Sequence, residues 1–225
     1  MIIVTSLSKN HKNSDQQHLA IASWNKHGKC YSLNCESEIE ELKSEGYSDI
    51  EFISTNRTIE YYAGKPLVSI SGIIDFAKSL DEDLLLINSD IVLSGLPELK
   101  QDGITIFSRY NYTDTLEDAK MFIHGFDVFY LPQNHLKIFP PSIYGLGATH
   151  WDHSLPFHAI TKNIPIYSPN ERYAYHKIHE IQYDIRQWEY MGEFFRWEFK
   201  FQKHLLIGQI ATMAMQRINN YVTKY

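Results

Sequence analysis

The sequence predicts an α/β chain: a mostly parallel central sheet flanked by helices, followed by a helical C-terminal segment. Three observations carry this. Two short runs, Ile2-Ile3-Val4 and Leu84-Leu85-Leu86-Ile87, are apolar on both faces, as buried parallel strands are. Stretches of helical period alternate with such runs through the first half, the pattern of a parallel sheet with crossover helices. From about 185 to 222 an apolar side recurs at helical spacing through Trp188, Met191, Phe195, Phe199, Leu206, Ile210 and Met213.

The elements follow in order. Residues 2–7 read as a first strand. Ser14 or Asp15 can cap a helix over about 16–27, closed by Gly28, with Leu19, Ala20, Ala22 and Trp24 on its apolar side. Residues 30–34 read as a second strand. Ser37 and Glu40 make a capping-box pair for a helix ending near Gly46. A short strand over 50–53 precedes a loop over 54–66 that holds Arg57 and Lys65. Ser69 or Ser71 starts a helix through Leu80, with Ile70, Ile73, Ile74 and Ala77 at helical spacing. Residues 84–87 form the fourth strand. Beyond it, 103–107 and 126–131 read as strands with no clear helix between them, 132–147 as loop, and 164–167 as a short strand. Residues 1–184 are expected to form the main domain, with 185–225 a helical extension packed on it.

Composition narrows the function classes. With 225 residues, 44% hydrophobic and 21% charged, the chain can bury a sizeable core. The net charge is −6 and no Lys/Arg-rich run occurs, so nucleic acid is not an expected partner. Cys30 and Cys35 fit neither a Cys-x-x-Cys site nor a disulfide framework, and read as reduced, buried thiols. No stretch approaches the roughly 18 apolar residues of a membrane span, and the apolar N-terminal run is too short for a signal peptide. A cytoplasmic location is expected, with peripheral membrane attachment left open.

The residues that could carry chemistry gather at strand ends and in the second half. Asp90 closes Asn88-Ser89-Asp90 directly after the fourth strand, and ligands of open α/β sheets sit outside the carboxyl ends of such strands. A carboxylate there can hold Mg²⁺ or Mn²⁺ against a diphosphate; it can equally be a turn residue. Asn88 brings no charge, but its amide can bind a sugar or ribose hydroxyl. His176 and His179, three apart, can face one way on a helix, and neutral imidazole is a good ligand for Mn²⁺ or Zn²⁺. In Gly145-Leu146-Gly147-Ala148-Thr149-His150-Trp151-Asp152, Trp151 offers a flat face for a sugar ring and Asp152 a general base. The bland alternative has Trp151 in the core and Asp152 capping a helix. Asp127, between Phe126 and Val128, needs a partner if buried and can bind acceptor hydroxyls. Arg57 and Lys65 are candidate phosphate contacts.

In their order and spacing these elements resemble small GT-A-type glycosyltransferases, in particular compact ones of microbes and large viruses. The resemblance runs from about Ile2 to Trp188. It rests on Thr5-Ser6-Leu7, Ser23-Trp24, Ser32-Leu33-Asn34, Tyr62-Ala63-Gly64-Lys65-Pro66, Asn88-Ser89-Asp90, Gly125-Phe126-Asp127, Gly147 with Trp151-Asp152, and His176 with His179. It implies the Rossmann-like GT-A (nucleotide-diphospho-sugar transferase) fold and transfer of a sugar from a UDP- or GDP-sugar to a carbohydrate or glycoconjugate acceptor. By that resemblance Thr5, Ser6 and Leu7 lie beside the nucleotide, with Asn88, Ser89, Arg57 and Lys65 also on the donor. Asp90 is the last acid of the Asp-x-Asp motif, His179 or His176 completes the Mn²⁺ or Mg²⁺ site, and Asp152 is the base of an inverting displacement. Asp127 and Trp151 face the acceptor. Asn88 departs from the motif, which has Asp at that position.

Three other readings compete. A degenerate, non-catalytic carbohydrate- or nucleotide-binding protein would explain Asn88. A sugar-phosphate nucleotidyltransferase would want a Gly-rich basic loop after the first strand, and residues 8–14 contain no glycine. A zinc hydrolase using His150, His153, His176 and His179 lacks a spacing such as His-Glu-x-x-His. The oligomeric state is not legible.

Overall fold

The computed structural model describes residues 1–9, 14–179 and 185–225, so most of the loop over 8–14 and the expected domain boundary at 184 lie outside the described residues. In the first half, strands and helices alternate: β1 (Ile2–Thr5), α1 (Ser14–Trp24), β2 (Lys29–Asn34), α2 (Glu36–Ser44), β3 (Glu51–Ser54), the single turn α3 (Glu60–Ala63), α4 (Ile70–Leu80) and β4 (Leu84–Ile87). β1 pairs in parallel with β2 on one side and with β4 on the other, and β3 lies beyond β2. The chain thus builds outward from β1 to β3, then returns to place β4 on the free side of β1. This reversal is a topological switch point, and α/β sheets commonly receive ligands outside the carboxyl ends of the strands at such a point.

Strand alternation sorts the side chains onto two faces. Ile2, Val4, Leu84 and Leu86 enter one core, covered by Ile70, Ile73 and Ile74 of α4. Ile3, Leu85 and Ile87 enter the other, covered by Ala20, Ile21 and Trp24 of α1 and Leu42 of α2. The Ser69 hydroxyl accepts from Gly72 N at 3.0 Å and so caps α4.

The second half contains β5 (Ile91–Leu93), β6 (Ile104–Tyr112), β7 (Lys120–Leu131), α5 (Trp151–Thr161), β8 (Ile166–Ser168), β9 (Ala174–Lys177), α6 (Ile185–Glu198), α7 (Ile207–Tyr221) and β10 (Thr223–Lys224). β7 runs antiparallel between β4 and β6, and the main sheet reads β10-β8-β6-β7-β4-β1-β2-β3. β5 and β9 form an antiparallel ribbon joined to the sheet through β6. Met191, Phe195, Ile210, Ala214 and Ile218 of α6 and α7 share the core of Ile2 and Leu84. No helix among the described residues is long and apolar enough to cross a membrane.

Several local expectations are corrected. The buried stripe of α1 is Gln17, Ala20, Ile21 and Trp24, whereas Leu19 is 58% exposed. α2 begins before Ser37, with Glu38 reaching back to the Cys35 N–H at 3.4 Å. The C-terminal helical pattern breaks at 199–206, where Lys200 adopts a left-handed backbone. The chain end is a strand: β10 pairs with β8, an element too short to show a period.

Candidate metal and nucleotide site

The site grows from the exit of β4. Asn88 N donates to Asp127 O at 3.0 Å, extending the β4–β7 ladder by one rung. Ile91 N then donates to Asn88 O at 3.3 Å, closing a tight turn that carries Ser89 and Asp90 over the strand end. The next residues form β5, whose Ile91 lies opposite His176 on β9. Sheet pairing therefore carries His176 to Asp90. His179 follows two residues after β9, on a segment that Ile178 N ties to Tyr112 O at 2.8 Å. The two histidines meet from a strand and the chain beyond it, not from the helix their spacing suggested.

Asp90 Oδ2 lies 3.1 Å from His179 Nε2 and 3.3 Å from His176 Nε2, and the two Nε2 atoms are 3.2 Å apart. The side chains are 12%, 27% and 12% exposed for Asp90, His179 and His176, so the group is shielded yet reachable. The centre of this near-equilateral triangle lies about 1.9 Å from each corner, just inside the roughly 2.0–2.2 Å at which divalent cations sit. One carboxylate and two imidazoles suit Mn²⁺, Fe²⁺ or Zn²⁺ better than Mg²⁺, which prefers oxygen ligands. Burial works against charge on Asp90, but the hydrogen bonds from His176 and His179 outweigh it and hold its carboxyl well below the usual carboxylate range.

Two glutamines brace this turn. Gln16 Nε2 donates to Asp90 O at 3.4 Å, and Gln16 Oε1 accepts from Tyr112 Oη at 3.2 Å. With its amide oriented to satisfy all its neighbours, buried Gln17 accepts from Ser89 Oγ at 2.8 Å and Ser8 N at 3.2 Å, and donates to Tyr47 Oη at 2.7 Å. Gln17 thereby links the chain after β1 to the chain after β4. Beyond the end of β1, Leu7 N donates to Ser32 Oγ at 2.9 Å and Leu7 O accepts from Asn34 Nδ2 at 2.9 Å, which fixes the backbone of Thr5-Ser6-Leu7. Buried Thr5 Oγ1 has no partner among the described residues.

A second polar layer lies on the β6 and β7 side. Asp127, buried, takes the Asn88 amide on Oδ1 and Arg109 Nη1 at 2.6 Å on Oδ2. The Arg109 guanidinium stacks over the Phe122 ring, 3.7 Å from its centroid. Burial pushes the Asp127 carboxyl above the usual range, with Arg109 opposing. Asp152, in the first turn of α5, accepts from Phe126 N at 3.2 Å. Asp90, Asp127 and Asp152 lie close enough for Asp127 to feel both of the others.

The structure brings together Asn88, Ser89, Asp90, Asp127, His176 and His179, with Asp152 beside them and Thr5, Ser6 and Leu7 on the adjoining strand end. Three candidates have no hydrogen bond or ion pair to this group among the described residues. Arg57 is ion-paired with Asp75 of α4. Lys65 is exposed on the loop after α3. Trp151 is only 3% exposed and packs edge-on against Phe129, 5.3 Å between centroids, so no ring face is left for a sugar. Sequence reasoning missed Gln16, Gln17 and Arg109. The stripe 17-20-21-24 has the i, i+3, i+4, i+7 spacing of a buried face, and a glutamine on it was the available signal. Neither the protein-family models nor the curated proteins contain a match to this chain.

Proposed function

We propose that this chain is a metal-assisted glycosyltransferase of GT-A type, transferring a sugar from a nucleotide-diphosphate sugar to an acceptor hydroxyl. The observation that carries the reading is the Asp90–His176–His179 triangle at the switch point between β1 and β4, where an α/β sheet receives a nucleotide. The sheet order and the antiparallel β7 beside β4 are compatible with that fold.

In this reading Asp90, His176 and His179 would hold Mn²⁺, which their one carboxylate and two imidazoles suit better than Mg²⁺. Such a cation, when bound, offsets the charge that builds on the leaving diphosphate. Thr5, Ser6 and Leu7 line the nucleotide side, their backbone fixed by Ser32 and Asn34. Asp152 takes the acceptor proton as the hydroxyl attacks the anomeric carbon from the face opposite the diphosphate, which inverts the configuration. The bond from Phe126 N orients its carboxylate for that task. Arg57, ion-paired with Asp75, and the exposed Lys65 are the cations proposed for the donor phosphates. The acceptor is a carbohydrate or glycoconjugate.

A thermal-shift panel of nucleoside diphosphates and UDP- and GDP-sugars, with and without Mn²⁺, tests the reading. A ligand that binds only the folded state raises its stability. One nucleotide family should stabilise the protein, more strongly with Mn²⁺, and Asp90→Ala should abolish the Mn²⁺ increment. No response to any nucleotide would favour a non-catalytic binding protein.

A further inference from the structure

Asn88 opens the turn that carries Asp90, and its surroundings give an amide at this position a physical reason. Residues 88 and 127 are cross-strand neighbours: Ile87 pairs with Val128, and Asn88 N donates to Asp127 O at 3.0 Å. Their side chains meet, with the Asn88 amide donating to Asp127 Oδ1. The other Asp127 oxygen is held by Arg109 at 2.6 Å. Like charges directly opposite on an antiparallel pair are destabilising, and burial strengthens the repulsion. A carboxylate at 88 would face the Asp127 carboxylate across that contact.

We propose that Asp127, held by Arg109, positions the Asn88-Ser89-Asp90 turn for the cation site, and that position 88 carries an amide because it must donate to Asp127. The inference rests on the cation reading above. Two further features support it beyond the contact itself. Asn88 opens the same tight turn as Asp90, closed by Ile91 N donating to Asn88 O at 3.3 Å, so a shift at 88 is passed to the Asp90 carboxylate. Asn88, by donating its NH₂ to Asp127, keeps its own carbonyl oxygen for other donors. Asp127 is a positioning residue here, and Arg109 fixes it.

The arrangement makes a specific exchange possible. In the Asn88→Asp/Asp127→Asn double variant, the amide at 127 can offer its oxygen to Arg109 and its NH₂ to the carboxylate at 88. Every hydrogen bond is kept and the charge moves one side chain across the strand pair.

Two measurements decide the matter. In EDTA, Asn88→Asp should lower the melting temperature by about 5 °C or more, and the double variant should recover at least half of that loss. In Mn²⁺ titration by calorimetry, Asp127→Asn should bind about tenfold more weakly than the parent, and the double variant should return to within about threefold of it. The proposal is overturned if Asn88→Asp melts with the parent, if the exchange recovers nothing, or if Asp127→Asn binds Mn²⁺ as tightly as the parent. Absence of Mn²⁺ binding in the parent would remove the cation reading and with it the positioning role. The EDTA arm would then still report on the pairing itself, so the two failures are distinguishable.

Discussion

Gly125 and Asp152 compete for one volume: a Cβ on Gly125 would run into Asp152 Oδ2, well inside van der Waals contact. The same oxygen accepts from Phe126 N, so the missing side chain at 125 is what lets the α5 carboxylate lie against β7. Gly125→Ala should therefore cost about 1–3 kcal/mol, because either the carboxylate or the strand must move. Urea denaturation checks this, and Gly125→Ala/Asp152→Ala should recover part of the loss. If Asp152 is the base, Gly125→Ala should also lower kcat on the order of 10²-fold, since small displacements of a reacting group are costly. Unchanged stability in the single variant would show that the site gives way freely.

His150 gives a pH signature. It sits at the start of α5 with φ 66°, stacked on Phe195, and burial lowers its imidazole to about 4, with His153 adding to the effect. The unfolded imidazole gains its proton near pH 6.5. Between about 6.5 and 4 the unfolded chain binds the proton and the folded chain does not. Stability should fall as pH drops through that window, by up to about 3 kcal/mol from this group. His150→Asn tolerates the left-handed backbone and does not titrate. Its stability-versus-pH curve should be flatter over this range; parallel curves would exonerate His150.

Much of this architecture was legible because its signals are local. The runs at 2–4 and 84–87 gave β1 and β4, and the 69–80 spacing gave α4 with Ser69 at its cap. The residue types of the candidate cation site, a strand-end acid and two late histidines, were legible too. Their convergence was not. His179 lies 89 residues from Asp90, and the meeting depends on the β5–β9 ribbon, whose three- and four-residue strands are too short to show a period. For the same reason a His-x-x-His spacing suggested a helix when the chain was in fact leaving a strand. Trp151 was ambiguous by type: an aromatic side chain serves a core and a sugar platform equally well, and only burial decides.

The thiols should differ in reach. Cys30 is buried within β2 and burial pushes its thiol up to about 12, while Cys35 is half-buried at the start of α2 and raised less. Alkylation needs the thiolate and access. Iodoacetamide at pH 8 should label Cys35 slowly and leave Cys30 unmodified until denaturant is added, as peptide mass spectrometry would reveal. Rapid labelling of Cys30 in the native protein would mean that β2 opens readily.

Gln17 is the residue whose loss should be felt after both β1 and β4. Its amide serves Ser8 after β1, Ser89 after β4 and Tyr47, all from a fully buried position on α1. Gln17→Leu keeps nearly the same volume and the apolar stripe with Ala20, Ile21 and Trp24. It strands the groups that the amide satisfied, and an unmade buried hydrogen bond costs about 1–3 kcal/mol per group. A destabilisation of about 2–4 kcal/mol in urea is expected. Asp90 and Ser89 share one turn, so Mn²⁺ stabilisation should shrink in the same variant. A loss below about 0.5 kcal/mol would mean that the amide's partners find water, and that the two strand ends are joined by packing alone.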